Sequence, residues 1–171
     1  LEVIRLKNKM ANLSNASSEV EFRGAFGWLV GDEGRGVATI IEMVSLTRFD
    51  CMLGSSAIMR MGLIQAIHHC KQREAFGKKL IDQPLMQNVL ADLALEYEAA
   101  LVLRKRMARA LDEKDHETDA GRHEALLARI VTAIGKYWSS QRAPNQSYEA
   151  MEVIGGNGVM EDAPMPRLYR E

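Results

Sequence analysis

The sequence predicts a mainly α-helical protein, built as an antiparallel bundle of the four-helix type with a short β remnant at its N-terminus. Apolar residues recur with helical spacing in three long stretches after residue 36, whereas the residues before that point alternate or are rich in turn formers. Apolar residues make up 47% and charged residues 26% of the 171, which indicates a packed core rather than disorder. The net charge of −1 excludes a wholly basic nucleic-acid binder and an acidic tail protein.

The first 36 residues predict two or three short strands. Residues 19–23 alternate between polar and apolar side chains, residues 12–18 are rich in turn formers, and residues 31–36 form a glycine-rich loop. Because an isolated hairpin is marginally stable, we expect these strands to complete a sheet whose other strands lie outside this sequence. The chain begins without Met, so we expect it to be a piece of a longer protein.

The next two segments predict helices over residues 37–72 and 83–112. The first carries its apolar face on Val37, Ile40, Ile41, Val44, Leu53, Ala57, Ile64 and Ile67. The second carries a stripe of Met86, Val89, Leu90, Leu93, Tyr97, Ala100 and Leu101. Asp82 is the expected N-cap of the second helix, and Pro84 suits its first turn.

A third helix is predicted from residue 122 to residue 154. Its apolar residues are Leu127, Ile130, Val131, Ile134 and Trp138, followed by Tyr148, Met151 and Ile154. Pro144 should kink or interrupt this helix, because its ring clashes with the carbonyl of Ser140. The glycines at 155, 156 and 158 should end it. One helix is then lacking for a symmetric four-helix bundle.

Two polar clusters favour ordinary structural explanations. His68, His69 and Cys70 are adjacent on a helix and point about 100° apart, so they predict a polar face with one buried thiol rather than a metal site. Residues 104–109 contain four cations, Arg104, Lys105, Arg106 and Arg109. They suit a phosphate or nucleic-acid patch, but we favour a solvated helix end where the dipole attracts cations.

Two further motifs leave two interpretations open. Arg73, Phe76 and Gly77 follow the first helix and form either a helix stop with a hydrophobic plug or a ligand site. In the second case the arginine pairs with a phosphate and the aromatic packs on a planar ring. Residues 152–158 read EVIGGNG and either cap a helix or let backbone N–H groups approach a ligand.

Together these motifs resemble the C-terminal part of the acyl-CoA dehydrogenases. The matching stretches are Arg73-x-x-Phe76-Gly77, residues 87–92, residues 152–158 and the PRLYR run at 166–170. Residues 14–17, 47–51, 83–86 and 150–153 look closest to the AidB-type branch, which contains DNA-alkylation-response flavoproteins. By this resemblance, residues 1–36 are the end of the family's middle β domain. Residues 37–171 are then its C-terminal helical bundle, truncated at the C-terminus.

The resemblance implies a cofactor site for FAD and a substrate site for acyl-CoA. Arg73 matches the arginine that holds the FAD pyrophosphate, typically of a neighbouring subunit, and Phe76 matches the aromatic beside the cofactor. The segment that meets the same FAD corresponds to Glu152, Val153, Ile154, Gly155 and Gly156. Arg48 matches an arginine near the acyl-CoA site. Since each FAD is shared between subunits in the family, a homotetramer is implied.

Two positions depart from the common family pattern. Pro84 and Glu152 stand where the family commonly has glutamine, and a carboxylate facing a pyrophosphate repels it unless it is protonated or turned away. The reaction needs an ionised glutamate that removes the α-proton while a hydride leaves the β-carbon. Thr47 occupies the base position of the isovaleryl-type branch, and Glu171 matches an acidic position ahead of the usual base. We therefore expect no catalytic base within these residues.

The expected function is the FAD-binding and oligomerisation part of an FAD-dependent acyl-CoA dehydrogenase. The alternative is a DNA-alkylation-response flavoprotein that binds double-stranded DNA non-specifically, with weak or vestigial dehydrogenation. The sequence contains no run of about 18 consecutive apolar residues, the length that a membrane helix needs. The two cysteines lack metal or disulfide spacing, which favours a reducing compartment, and we expect a cytoplasmic protein without a metal ion.

Overall fold

The computed structural model describes residues 1–171 and confirms a mainly α-helical fold with a small antiparallel strand pair at the N-terminus. Three long helices, α1 (Gly36–Gln72), α2 (Pro84–Glu113) and α3 (Asp119–Ile154), form the body of the molecule. A short helix, α4 (Pro164–Arg170), follows a 3₁₀ turn at Gly155–Val159. None of the helices combines the length and the apolar character that a membrane crossing requires.

The three long helices pack with α2 antiparallel to both α1 and α3. At one end, Ala66 and Cys70 of α1 lie in the same buried cluster as Leu90 of α2 and Ala150 of α3. At the other end, Met52 of α1 packs with Met107 and Ala110 of α2 and Ala128 of α3. From the second cluster to the first, residue numbers rise along α1 and α3 but fall along α2. The three helices therefore run up, down and up.

The buried seam consists mainly of small residues and methionines. Gly135 of α3 lies against Met52, where an added Cβ would stand 2.6 Å from the Met52 Cε atom, and Gly62 of α1 faces Ala150. Ser56, Ser139 and Ser147 are fully buried as well. Small side chains let the helix backbones approach closely, and flexible methionines fill the remaining space.

The predicted buried face is correct for α2 and wrong for much of α1 and α3. Every residue of the α2 stripe is buried or half-buried. In α1, Val37, Ile40 and Ile41 are exposed, and the core face is the one through Met52, Ser56, Met59 and Leu63. In α3, Ile130 and Ile134 are exposed, while Leu127, Val131 and Trp138 face inwards. Both helices are apolar on more than one side, so apolar spacing did not single out the core face.

The helix boundaries correct three predictions. Asp82 is not an N-cap but lies in a 3₁₀ turn at Leu80–Asp82, and Gln83 occupies the cap position ahead of Pro84. The α3 helix begins at Asp119, where the Thr118 hydroxyl accepts a hydrogen bond of 3.0 Å from the Gly121 N–H. Pro144 does not interrupt α3. The residues on both sides of the proline, Ala143, Gln146 and Ser147, are buried against the other helices. Such packing offsets the one backbone hydrogen bond that the proline cannot donate.

Two small antiparallel hairpins complete the fold. Strands β1 (Glu2–Leu6) and β2 (Ser18–Glu21) pair with a bulge between Val3 and Arg5. The predicted strand at 19–23 is therefore correct in position, although its partner β1 was not located from the sequence. Strands β3 (Glu74–Ala75) and β4 (Lys78–Lys79) pair directly after α1. The sequence predicted only a turn there.

Candidate functional site

The backbone of Arg73 is fixed from both directions at the end of α1. Its N–H donates to the carbonyl of His69 over 2.9 Å, and its own carbonyl accepts from the Leu80 N–H over 2.9 Å. The first bond belongs to the last turn of the helix, and the second closes the β3–β4 hairpin. In contrast, the Arg73 guanidinium makes no hydrogen bond or salt bridge within the chain. A fixed backbone with a free cation suits the binding of an anion.

Phe76 projects from the tip of the hairpin. Its side chain is 96% exposed, so the hydrophobic-plug interpretation is wrong. Phe76 and Gly77 have φ angles of +53° and +80°, the two left-handed positions of a tight hairpin turn. A bulky residue in the left-handed region of backbone conformation costs about 1–3 kcal/mol. An exposed aromatic side chain at such a position therefore indicates a role other than the packing of this chain.

The glycine segment begins where α3 ends. Gly155 adopts φ 72° and ψ −146°, a conformation that other residues rarely reach, and this stops the helix. A Cβ added at Gly155 or Gly156 would meet no atom within 4 Å, so both glycines border open space. Gly158 differs, because a Cβ there would stand 2.4 Å from the carbonyl oxygen of Met151. The first two glycines leave the backbone accessible, and the third allows the 3₁₀ turn to pack.

Arg73 and the glycine segment line one cleft of about 440 Å³. Its walls are formed by His69, Arg73, Leu80, Val153, Ile154, Gly155, Gly156 and Asn157. Five of the residues expected at a cofactor site are therefore brought together, although Arg73 and Gly155 are 82 positions apart in the chain. The Gly155 N–H donates to the carbonyl of Glu152, so what the cleft offers a ligand is the free Arg73 guanidinium beside a glycine backbone that phosphate groups can approach closely.

Glu152 and Phe76 are the two expected cofactor residues that do not line the cleft. The Tyr148 hydroxyl donates to the Glu152 carboxylate over 2.8 Å, one helical turn earlier on α3. This hydrogen bond raises the pKa of Tyr148, so the phenol keeps its proton at neutral pH. The bond holds the Glu152 carboxylate on the Tyr148 side of the helix rather than in the cleft.

The remaining expected residues lie elsewhere. Arg48 is exposed on α1 and makes no ion pair, and none of the described cavities includes it. The Thr47 hydroxyl donates to the carbonyl of Val44 over 2.9 Å. Glu171 pairs with Arg167 and accepts a hydrogen bond of 3.0 Å from the Asn12 N–H.

Three lining residues were missed by the sequence-based prediction: His69, Leu80 and Asn157. His69 was considered only with its neighbours, of which Cys70 is buried with a thiol pKa raised by burial and His68 is exposed. The useful signal is its spacing of four residues before Arg73, which places both near the last turn of α1. Leu80 lines the cleft only because β3 and β4 fold back, and no pattern in the sequence predicted that hairpin.

The basic cluster on α2 is largely engaged within the chain. Arg106 forms two hydrogen bonds of 2.7 and 2.9 Å to the Glu124 carboxylate of α3, which lower the pKa of Glu124 and raise that of Arg106. Arg104 donates to the buried Ser56 hydroxyl over 3.0 Å. Lys105 and Arg109 are exposed, but none of the four cations lies in the last turn of α2, so the predicted attraction by the helix dipole is wrong. No group of three or more His, Cys, Asp or Glu side chains is arranged to hold a metal ion.

Comparison with known proteins identifies relatives of this chain. The sequence model of the acyl-CoA dehydrogenase C-terminal domain matches residues 34–171. AidB of Escherichia coli is 49% identical over 167 residues, which is 98% of this chain and 30% of AidB. Acyl-CoA dehydrogenase family member 11 of Caenorhabditis elegans is 31% identical over all of this chain, which covers 28% of that protein.

Solved structures give the same result. The crystal structure of Caenorhabditis elegans ACDH-11 in complex with C11-CoA superposes with a TM-score of 0.92 at 31% identity, covering 99% of this chain and 28% of that one. Butyryl-CoA dehydrogenase from Megasphaera elsdenii superposes with a TM-score of 0.85 at 25% identity, covering 97% and 41%. The chain thus spans between 28% and 41% of the length of these relatives. It belongs to the acyl-CoA dehydrogenase family and consists mainly of that family's C-terminal helical domain.

Proposed function

We propose that this chain is the FAD-binding and oligomerisation part of an FAD-dependent acyl-CoA dehydrogenase family protein. The observation that carries the proposal is the shared cleft of Arg73 and the segment Val153–Gly156. No carboxylate in the chain pairs with the Arg73 guanidinium, which is also true of Arg48 and Arg129, but of these three only Arg73 lies beside the glycine segment. An unpaired arginine facing a glycine-lined backbone favours a ligand with adjacent phosphate groups.

The residues of the cleft suit the pyrophosphate of FAD. Arg73 would form charge-assisted hydrogen bonds to its oxygens, and the open backbone at Gly155 and Gly156 would admit it closely. Phe76, exposed at the hairpin tip, would pack against a planar part of the cofactor. FAD supplies the acceptor for the hydride when it is bound. The residues described here bind and orient it, and Tyr148 keeps the Glu152 carboxylate away from it.

The proposal includes the assembly and the parent reaction. FAD would be shared between subunits of a homotetramer. This sharing would account for the nearly complete exposure of Phe76 in its own chain. The parent protein would carry out α,β-dehydrogenation of acyl-CoA thioesters, with Arg48 near the substrate. Residues 1–36 would form the end of its middle β domain. Since Thr47 and Glu171 are engaged in other hydrogen bonds, we assign the catalytic base to neither.

Replacement of Arg73 tests the cofactor assignment. In the full-length protein, Arg73→Ala should reduce the FAD content per subunit after gel filtration by at least about tenfold, since a charged hydrogen bond contributes about 1.5–3 kcal/mol. Arg73→Lys should retain part of the FAD, because lysine keeps the positive charge but cannot form bidentate hydrogen bonds to a phosphate.

Arg129→Ala is the matched control. Arg129 is also exposed and unpaired, but it lies 25 residues before Ile154 on α3, which is about 37 Å along the helix. It should retain FAD at the level of the unchanged protein. Unchanged FAD content in Arg73→Ala would refute the assignment of the cleft.

The 49% identity to AidB favours a second candidate function, non-specific binding of double-stranded DNA. Such binding would weaken steeply with rising salt, because neutralised phosphates release counterions. Arg106, Arg167 and Arg170 are already paired with carboxylates, so such binding would depend on the unpaired cations, which include Lys105, Arg109 and Arg129. DNA binding that is absent, or that does not respond to salt, would exclude this candidate.

A further inference from the structure

His69 lies in the same cleft as Arg73 and is the only other titratable residue of its lining. Both belong to α1, and the remaining walls are the uncharged residues Leu80, Val153, Ile154, Gly155, Gly156 and Asn157. Asp82 of the adjoining 3₁₀ turn and Glu152 of α3 are not part of the lining, and the Tyr148 hydroxyl donates to the Glu152 carboxylate. No carboxylate of the cleft therefore competes with a ligand for His69 or Arg73.

The imidazole of His69 has no partner within the chain. His69 stands four residues before Arg73, and its carbonyl accepts the Arg73 N–H over 2.9 Å, which places the two side chains on one side of the end of α1. The imidazole is half-buried and forms no hydrogen bond or ion pair, whereas His116 lies 2.9 Å from the Glu113 carboxylate. Both ring nitrogens of His69 are therefore left for a ligand of the cleft.

We propose that His69 is a second ligand of the diphosphate that Arg73 binds, and that its protonated form strengthens the binding of FAD. This inference rests on the proposed function of the cleft. Histidine is the side chain whose charge ordinarily changes between about pH 5 and pH 8. The imidazolium ion has two N–H donors and no acceptor, and a charged donor forms a hydrogen bond to phosphate about twice as strong as a neutral one.

The neighbouring guanidinium couples this protonation to the ligand. Two cations four residues apart on a helix repel each other, so Arg73 opposes a charge on His69 while no anion is present. A bound diphosphate reverses this effect, because its negative charges attract both cations. Binding of FAD and uptake of a proton therefore favour each other, and the additional affinity is present at low pH and is lost as the pH rises.

Fluorescence titration of the full-length apoprotein with FAD at about pH 6 and about pH 8 tests the proposal. The unchanged protein should bind FAD about fivefold more tightly at the lower pH. His69→Gln keeps an N–H donor but cannot be charged, so it should bind FAD equally at both pH values, as weakly as the unchanged protein does at the higher one. A pH dependence that persists in His69→Gln, or that is absent from the unchanged protein, would overturn the proposal.

His68→Gln is the matched control, since His68 is the adjacent histidine but is exposed and does not line the cleft. It should keep the pH dependence of the unchanged protein, and its loss there would contradict a specific role for His69. Arg73→Ala should weaken FAD binding at both pH values. If Arg73→Ala weakens binding but His69→Gln behaves as the unchanged protein, only the inference about His69 fails. If Arg73→Ala has no effect, the cofactor assignment fails as well.

Discussion

At the scale of single residues, the proposed cofactor site depends on which side of α3 an acidic side chain occupies. Glu152 stands directly before Val153 and Ile154, which line the cleft, yet its carboxylate is not part of the lining. The hydrogen bond from Tyr148 accounts for this placement. A carboxylate could thus be tolerated next to the proposed phosphate site because a neighbour four residues away holds it.

Loss of the Tyr148 hydroxyl should weaken cofactor binding in a way that depends on Glu152. In the full-length protein, Tyr148→Phe should lower FAD affinity by about fivefold, since an added carboxylate near the phosphates costs about 1 kcal/mol in water. Tyr148→Phe combined with Glu152→Gln should restore the affinity, because no negative charge remains to be released into the cleft. FAD fluorescence titration of the apoprotein measures both.

Tyr169→Phe serves as the control for this pair. Its ring centroid lies 6.3 Å from that of Tyr148, but its hydroxyl does not hold Glu152, so FAD affinity should not change. A loss in Tyr148→Phe that Glu152→Gln fails to reverse would show that the tyrosine acts through packing. Because Arg73→Ala tests the site without involving Tyr148, failure here would leave the cofactor assignment standing.

At the scale of helices and strands, the sequence predicted α2 more completely than its neighbours. One side of α2 is apolar and the other is charged, so periodicity alone identified its extent and its buried residues as far as Leu101, although it missed the buried Met107 and Ala110. The core faces of α1 and α3 contain Ser55, Ser56, Gly135 and Ser139, whose small side chains carry little hydrophobic signal. Their burial depends on how closely the partner helices approach, which is a tertiary property.

The cleft shows a similar division between local and tertiary information. Arg73, Val153, Ile154, Gly155 and Gly156 were identified from motifs, and the structure places all five on one cleft. Short motifs do not encode the hairpin that brings Leu80 against these residues. They also do not encode the hydrogen bond that keeps Glu152 out of the cleft. Motifs therefore identified five residues of the cleft, whereas its shape required the fold.

The ion pair between α2 and α3 should make stability depend on pH in the acidic range. Arg106 lowers the pKa of Glu124 below its ordinary value of 4.5, so the folded state favours the ionised carboxylate. The resulting stabilisation is complete above that ordinary value and is lost as the pH falls through the lowered pKa. Glu124→Gln should therefore melt at a lower temperature than the unchanged protein at neutral pH, and the difference should shrink on acidification.

Thermal unfolding followed by circular dichroism between neutral and acidic pH measures this difference. Glu117→Gln, which removes an exposed and unpaired carboxylate from the α2–α3 connection, should match the unchanged protein at every pH. A Glu124→Gln difference that stays constant with pH would attribute the effect to packing rather than to the ion pair.

At the scale of the whole molecule, the chain leaves much apolar surface uncovered. Only 26 of its 171 residues are buried. The exposed set includes a stripe on α3, formed by Leu126, Ile130, Ile134 and Tyr137, with exposures of 62%, 58%, 60% and 68%. Spacings of four, four and three residues place these side chains on one side of the helix. Contiguous apolar surface of this kind indicates contact with another protein surface.

The α3 stripe should belong to the interface that assembles the proposed tetramer. Ile130→Glu with Ile134→Glu in the full-length protein would bury charges without partners in that interface, so gel filtration with light scattering should show a smaller species. Ala125→Glu, exposed on the same helix but about 135° from the stripe, should remain tetrameric. Since the proposed FAD site is completed across subunits, the dissociated variant should also lose FAD although Arg73 and the glycine segment are intact. A dissociated variant that retained its FAD would confine the cofactor to one subunit, and an unchanged tetramer would assign the stripe to another contact.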